Sequence, residues 1–236
     1  MPQQKNVPKI FDAFDRIRII NLEHRSDRRR EMVQQLSRVG MLDDPRVSFF
    51  KALTGDPTSL FSEPGHHGCY RSYVALLNEA ADAGESLLIL EDDCDFLVPD
   101  IFNYRLPTKW DILYGGYHAS NPQNLYESDI IGSHFMGFSA SGAATAKSYF
   151  SRYLSDDFVV DSRASAQSDY NPTIRPPIDG ALVWFRRAHP ELITVFAMLG
   201  FQRPSRTDIG ANAFYDRIPG LRFVAGLARR IQRNLL

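Results

Sequence analysis

Four carboxylates fall within the five residues Glu91–Asp95. In a confined site Glu91, Asp92, Asp93 and Asp95 would repel one another, and a hard divalent cation such as Mg²⁺ or Mn²⁺ is the usual remedy because it prefers oxygen ligands. We predict Asp93 as the first metal ligand and Glu91 or Asp95 as the second, with Asp92 contacting a bound ligand or supporting the metal ligands. The alternative is a strand that runs into a solvated acidic turn.

A basic segment follows the first apolar run of the chain. Four arginines lie within six residues, where a strand is predicted to pass into a helix: Arg25, Arg28, Arg29 and Arg30. Helix N-terminal amides and guanidinium groups both favour a bound phosphate, so we predict phosphate contacts from Arg25 and Arg28. A solvated basic face that pairs with nearby acids is the alternative.

Three single residues could complete a site. Asp179 follows two prolines at the start of a predicted helix and is our candidate general base, with stabilisation of the helix dipole as the alternative. His134 could complete a metal shell or contact a phosphate, although a lone histidine in an apolar strand is more often structural. Asp208 is a second candidate for ligand or base.

The first half of the chain predicts the scaffold for these residues. Apolar periodicity and turn residues indicate a β-α-β-α-β order, which implies parallel strands with right-handed crossovers. The elements are a strand at Arg16–Leu22, a helix capped by Ser26 and ended by Gly40, a strand at Arg46–Leu53, a helix at His67–Ala83 and a strand at Ser86–Leu90. Ligands bind beyond the carboxyl ends of such strands, which is where the acidic segment lies.

The second half is less regular. It predicts a strand at Trp110–Tyr114, a strand or hairpin from Ile130 to Ser139, a helix at Gly142–Leu154, a long loop over 155–177, a helix at Ile178–Ala188 and a strand at Ile193–Leu199. We therefore predict the α/β class, with a mixed, mostly parallel sheet flanked by helices. The expected organisation is an N-terminal arm (1–15), one domain (16–216) and a basic amphipathic helix (217–236).

Composition narrows the function classes. The net charge of −1 over 236 residues and the lack of interleaved aromatic and basic residues argue against nucleic-acid binding. No apolar run is long enough to span a membrane, the first residues lack the apolar stretch of a signal peptide, and two cysteines fit a reducing compartment, so we expect a cytoplasmic protein. The basic C-terminal helix either packs on the domain or rests on an anionic membrane surface.

Short motifs along most of the chain resemble glycosyltransferase family 25, the bacterial lipopolysaccharide and lipooligosaccharide transferases. The order and spacing of the matching pieces make the resemblance more specific than any single piece. They are Ile20-Asn21-Leu22 with Arg25 and Asp27-Arg28, Phe49–Ala52 with Gly55, Gly68-Cys69 with Ser72, Leu88–Asp93, Gly132–His134 with Ser139 and Gly142-Ala143, Pro177–Asp179, and Gln202 with Thr207–Ile209.

The resemblance implies a GT-A-like, Rossmann-like fold, a UDP-sugar donor (galactose foremost) and transfer with inversion, here to an oligosaccharide or lipid-linked glycan. With Mn²⁺ or Mg²⁺ as the cofactor, our candidate metal ligands are Glu91, Asp93, Asp95 and His134, and our candidate general base is Asp179. The candidates for donor or phosphate contacts are Asn21, Leu22, Arg25, Arg28, Ala52, Ser72 and Asp92. Sugars could stack on rings that follow the acidic segment, at Trp110, Tyr114, Tyr117 and His118, although a tryptophan such as Trp110 more commonly packs in the core.

The sequence also departs from the family pattern. Lys51 replaces an aspartate, Tyr73 replaces a histidine, and Asp95 stands after the acidic pair near a usually apolar position. Tyr73 keeps a hydroxyl for hydrogen bonding but cannot switch its proton near neutral pH. Two alternatives therefore stay open: a catalytically degenerate member that binds a sugar or a partner, and a metal-dependent phosphoesterase.

Overall fold

A six-stranded sheet forms the centre of the protein, for which a computed structural model describes residues 9–155 and 175–203. In spatial order its strands are β2 (Val47–Lys51), β1 (Arg16–Asn21), β3 (Leu87–Glu91), β8 (Phe135–Phe138), β5 (Ile112–Tyr114) and β9 (Thr194–Phe196). β1 is parallel to β2 and β3, β5 is parallel to β9, and β8 is antiparallel to both of its neighbours. Only β8 is reversed in this sheet, which confirms the predicted α/β class with a mostly parallel sheet.

Helices and two small sheets surround the central sheet. The helices are a short 3-10 helix (Lys9–Ala13), α1 (Ser26–Arg38), α2 (Pro64–Ala83), α3 (Asp100–Asn103), α4 (Ala140–Tyr153) and α5 (Ile178–Ala188). One small sheet pairs β4 (Cys94–Phe96) with β10 (Gly200–Gln202), and the other pairs β6 (His118–Ala119) with β7 (Ile130–Ile131). In the described part of the chain, no helix is both long and apolar enough to cross a membrane.

The strand that carries the acidic segment is buried on both faces, as its sequence predicts. Leu87 and Ile89 join a core layer with α2, α4 and α5, whereas Leu88 and Leu90 join a second layer with the 3-10 helix, α1 and α3. Fully burying one such side chain contributes roughly 1.5–3 kcal/mol, so this strand is held firmly in register. Its tip, Glu91–Asp93, is therefore presented from a rigid support.

Three local predictions need correction. Ser26 does not cap α1: it is the first helical residue, and Arg25 stands at the cap position without a side-chain cap bond. The predicted strand Ile193–Leu199 is broken, because the Ala197 and Leu199 amides donate to the Tyr114 and Gly115 carbonyls and redirect the chain into β10. The short strand β4, directly after the acidic segment, was missed because three residues give too little periodicity.

Several predictions fall wholly or partly outside the described residues. They are most of the loop 155–177, Asp208 with its motif, the basic helix 217–236 and the first eight residues of the N-terminal arm. The rest of the arm packs into the second core layer, where Ile10, Phe11 and Phe14 are buried.

Candidate active site

The carboxyl edge of the parallel strands gathers most of the predicted site residues. Asn21 ends β1, Glu91 ends β3, His134 immediately precedes the reversed strand β8, and Asp179 lies in the first turn of α5. The Glu91 amide donates to the His134 carbonyl at 3.0 Å, so the tips of β3 and β8 lie side by side. Sequence segments far apart in the chain therefore meet at one edge of the sheet.

Asp92 is held by two residues from the first βα unit. Its Oδ2 accepts a 2.6 Å hydrogen bond from Asn21 Nδ2, and its Oδ1 lies 3.1 Å from Arg28 Nη1. The Asp92 side chain is buried. With both oxygens engaged internally, Asp92 fixes the acidic segment against β1 and α1.

Asp93 is buried, and its two carboxylate oxygens differ in their hydrogen-bond partners. Oδ2 lies 3.1 Å from Arg28 Nη1 and accepts a long 3.4 Å contact from Gln202 Nε2, whereas Oδ1 has no hydrogen-bond partner among the described residues. Burial raises the pKa of Asp93 to about 6, although the Arg28 charge acts in the opposite direction. A buried, unsatisfied carboxylate oxygen is costly, which marks Oδ1 as a candidate ligand atom.

Glu91 is linked to Asp93 electrostatically. Burial, together with the neighbouring charge of Asp93, raises the pKa of Glu91 to about 8. Ser133 Oγ donates a 2.6 Å hydrogen bond to Glu91 Oε1. The Tyr73 hydroxyl in turn donates to the Ser133 carbonyl, so the tyrosine that departs from the family pattern supports the residue that orients Glu91.

Asp179 approaches the site from α5. The Gly132 amide donates a 3.2 Å hydrogen bond to Asp179 Oδ1. Burial raises the pKa of Asp179, and the bonds from Gly132 and Ser133 and the nearby His66 partly offset that effect. Gly132 has a φ of 140°, a conformation that favours glycine, so the local backbone that bonds Asp179 depends on this residue.

The four predicted metal ligands are not gathered as one shell. No group of three or more His, Cys, Asp or Glu side chains within 9–155 and 175–203 is arranged to hold a metal ion. Asp95 is engaged by Arg203, whose Nε lies 3.2 Å from both carboxylate oxygens. His134 is buried, which lowers its pKa to about 4, and its Nε2 packs against Gly116.

Glu91 and Asp93 nevertheless fit a hard cation. Mg²⁺ is commonly bound by one or two carboxylates together with substrate phosphates and water, so it does not require a complete protein cage. The raised pKa values show that burial disfavours the charged forms of both acids, and a bound cation would stabilise those forms. The unsatisfied Asp93 Oδ1 offers a ligand atom for it.

The remaining predicted donor contacts have other partners in the structure. Arg25 forms a two-point pair with Asp27, at 3.0 and 2.8 Å. Ser72 Oγ donates to the Gly68 carbonyl and accepts from the Leu53 amide. The Leu22 carbonyl accepts a hydrogen bond from the Arg25 amide, and the Ala52 amide donates one to the Asn21 carbonyl. Lys51 pairs with Glu23 on the surface.

Sequence reasoning missed several residues of the site. Ser133 lies beside the predicted His134, and Gln202 belongs to a family-like motif that assigns it no role. Arg203 had no sequence signal, yet its amide donates to the Asp93 carbonyl at 2.8 Å, and its side chain joins Asp95 to Glu31 of α1. Only the pairing of β4 with β10 reveals that contact.

The proposed sugar-stacking residues divide into two groups. Trp110 packs on Phe14 in the core, with ring centroids 5.4 Å apart, and Tyr114 is buried. Tyr117 is partly exposed and His118 is exposed, beyond the carboxyl end of β5.

Comparisons with known proteins give little further information. No protein-family profile matches the chain, and no curated protein sequence matches it. Among solved structures, it is similar to a glycosyltransferase involved in the glycosylation of the major capsid of PBCV-1, with a TM-score of 0.46 and 9% identity over 81% of this chain and 95% of that chain. That likeness is too distant to support an argument about function.

Proposed function

We propose that this chain is a metal-dependent, inverting glycosyltransferase. In this proposal it moves a hexose, galactose foremost, from a UDP-sugar to a glycan acceptor of lipopolysaccharide or another surface polysaccharide. It acts in the cytoplasm, where its basic C-terminal segment could contact the inner membrane face.

One observation carries the proposal: the motif pieces that resemble family 25 converge at the carboxyl edge of the sheet. Asn21 contacts Asp92, Gln202 contacts Asp93, and Ser133 contacts Glu91, although these residues come from distant segments. An open α/β sheet binds its ligands at this edge. This convergence supports the proposal, because the residues of a transferase site must meet at one place.

The arrangement suits displacement at the anomeric carbon of a nucleotide sugar. A cation held by Asp93 and Glu91 would supply positive charge for the departing diphosphate. Arg28 and Asn21 hold the acidic segment in place, so that little reorganisation is needed during the reaction.

Asp179 is assigned the proton transfer. The acceptor hydroxyl gives its proton to Asp179 as its oxygen bonds to the anomeric carbon, and the bond to the UDP oxygen breaks on the opposite side. A raised pKa makes this carboxylate a better base than an exposed aspartate.

A donor panel tests the proposal. UDP-galactose, UDP-glucose, UDP-N-acetylglucosamine, GDP-mannose and UDP are titrated into the full chain by calorimetry, with Mn²⁺ and with a chelator. We expect Mn²⁺-dependent binding of one UDP-sugar. Absence of nucleotide binding in every condition would favour a degenerate binding protein, and rapid release of sugar or phosphate to water with no acceptor dependence would favour a hydrolase.

A further inference from the structure

An aromatic cluster that is partly open to solvent lies at the same edge of the sheet as the acidic segment. It consists of Tyr117, Tyr126 and Phe196, which we name the aromatic platform. Tyr117 and Tyr126 each contact Phe196 edge-on, with centroid distances of 5.5 and 5.7 Å. Tyr126 is 73% exposed, a large fraction for an aromatic side chain that makes so ordered a contact. Tyr126 therefore contributes little to the core.

The platform is built on rigid structure. Tyr114 stacks on Phe196 from the buried side, with centroids 5.6 Å apart and planes within 25°. The guanidinium of Arg186 lies 5.6 Å from the Tyr114 ring and 5.4 Å from the Phe196 ring, and it is buried. A buried arginine is costly unless its charge is compensated, and the faces of these two rings supply part of that compensation.

Arg186 also fixes the loop that carries Tyr126. Its Nη2 donates to the Ser128 carbonyl at 2.7 Å, and its Nη1 makes a long 3.5 Å contact with the Leu125 carbonyl. The Ser128 hydroxyl accepts from the Asn121 amide at 2.8 Å. These hydrogen bonds preorganise the loop around Tyr126 from its buried side, which lowers the entropy lost when a ligand binds.

A continuous path joins the platform to Asp179. The Gly132 amide donates to Asp179, and a Cβ on Gly132 would lie 2.9 Å from the Tyr117 Cα, so the Tyr117 backbone packs directly on Gly132. Tyr117 in turn contacts Phe196. The backbones of Gly132 and Tyr117 therefore link the platform to the residue to which we assign proton abstraction, on the β5–β9 side of the sheet and away from Asn21 and Arg28.

The chemistry of the aromatic platform fits a sugar ring. The C–H face of a pyranose is apolar and slightly positive, which complements the negative face of an aromatic ring. Polar groups border Tyr126 in the chain, where the Asn124 amide donates a 2.7 Å hydrogen bond to the Glu127 carboxylate. An apolar protein partner would gain little from so small a surface bordered by polar groups.

We propose that the aromatic platform is the acceptor subsite and that it binds a neutral saccharide by stacking on Tyr126. This inference rests on the proposed function, because it assigns the acceptor to the side of Asp179 opposite the donor. It predicts saccharide binding that does not depend on the acidic segment.

Disaccharide binding to the full chain tests the inference. Lactose, maltose and N,N′-diacetylchitobiose are titrated by saturation-transfer NMR, with and without UDP and Mn²⁺. We expect at least one of them to bind, Tyr126→Ala to weaken that binding by about tenfold, and Tyr126→Phe to retain it because the ring remains. Leu42→Ala, at another exposed apolar side chain, is the matched control and should bind as the unaltered protein does.

The outcomes separate this inference from the proposed function. Binding of no disaccharide, or equal binding by Tyr126→Ala and the unaltered chain, overturns the acceptor subsite. UDP-sugar binding is measured in parallel and should be unchanged in Tyr126→Ala. Saccharide binding without any nucleotide binding would overturn the transferase proposal and leave the platform as a sugar site.

Discussion

Asn21 Nδ2 donates a 2.6 Å hydrogen bond to Asp92 Oδ2 across 71 residues of sequence. The same amide group donates to the Arg25 carbonyl at 3.2 Å, so a single side chain joins the end of β1, the turn into α1 and the tip of β3. This contact fixes the acidic segment relative to the arginine segment. It also favours support of the site for Asp92, one of the two roles that its sequence leaves open, and this role stays a prediction.

Replacement of Asn21 tests that relationship. Asn21→Ala leaves a buried carboxylate oxygen without its donor, so we expect the free energy of unfolding to fall by about 1–3 kcal/mol. Urea denaturation measures the change. Asn124→Ala removes an amide that bonds Glu127 at an exposed position and should cost much less. Equal losses in the two variants would show that the Asn21–Asp92 contact is not a structural support.

Asp179→Asn tests the assignment of the general base. The amide keeps nearly the same shape but cannot accept the acceptor proton, so kcat should fall by about 10²–10⁴-fold while UDP-sugar affinity changes little. Steady-state kinetics and calorimetry measure the two quantities. A large loss of donor affinity with normal turnover would contradict the assignment and place Asp179 in donor binding.

Ser72→Ala distinguishes a structural from a donor-binding role for this residue. Ser72 is fully buried, and its hydroxyl joins the Gly68 carbonyl to the Leu53 amide. We expect the free energy of unfolding to fall by about 1–3 kcal/mol, with UDP-sugar affinity preserved at a temperature where the variant is folded. Loss of affinity without loss of stability would restore the donor-binding role.

A pH-sensitive contact joins the amino-terminal ends of β1 and β3, at the edge of the sheet opposite the acidic segment. Asp15 Oδ2 accepts from the Ser86 hydroxyl at 2.7 Å and from the Ser86 amide at 2.9 Å, and these bonds lower the pKa of Asp15. A carboxyl whose pKa is lower in the folded state adds stability above its unfolded pKa, and this stability is lost as pH falls through the folded pKa.

We therefore expect Asp15→Asn to be less stable than the unaltered chain at pH 7, by no more than about 1 kcal/mol because the side chain is exposed. The difference should shrink as pH falls below 3.8, the ordinary value for this carboxyl. Denaturant titrations across that range measure it. A difference that does not change with pH would show that charge on Asp15 contributes nothing.

The sequence predicted the half of the sheet that contains β1, β2 and β3 well, for identifiable physical reasons. Leu87–Leu90 is apolar on both faces, and Gly40 and Gly84 end α1 and α2 with positive φ values of 71° and 68°. Local pattern therefore specified β1, α1, β2, α2 and β3. It also placed Asn21 and the acidic segment at one edge, because parallel strands share their carboxyl ends.

The pairing of strands that lie far apart in the sequence could not be predicted in the same way. The sequence alone makes Asp95 a plausible metal ligand, but in the structure the pairing of β10 with β4 places Arg203 against it. This pairing could not be predicted, because strands of three residues carry almost no periodic signal. Likewise, Phe196 and Tyr126 come from a broken strand and a loop, and only the tertiary fold brings them to Tyr117. The roles of Glu91 and Asp93 in metal binding stay predictions.

The most direct test of the central claim compares Asp93→Asn with Asp95→Asn. These acids lie two residues apart, but Asp93 has an unsatisfied oxygen in the site, whereas Asp95 is paired with Arg203. We predict that Mn²⁺-dependent UDP-sugar binding, measured by calorimetry, weakens by at least about tenfold in Asp93→Asn and stays within about threefold in Asp95→Asn. Equal binding by Asp93→Asn and the unaltered chain, or binding indifferent to chelation, would contradict the account.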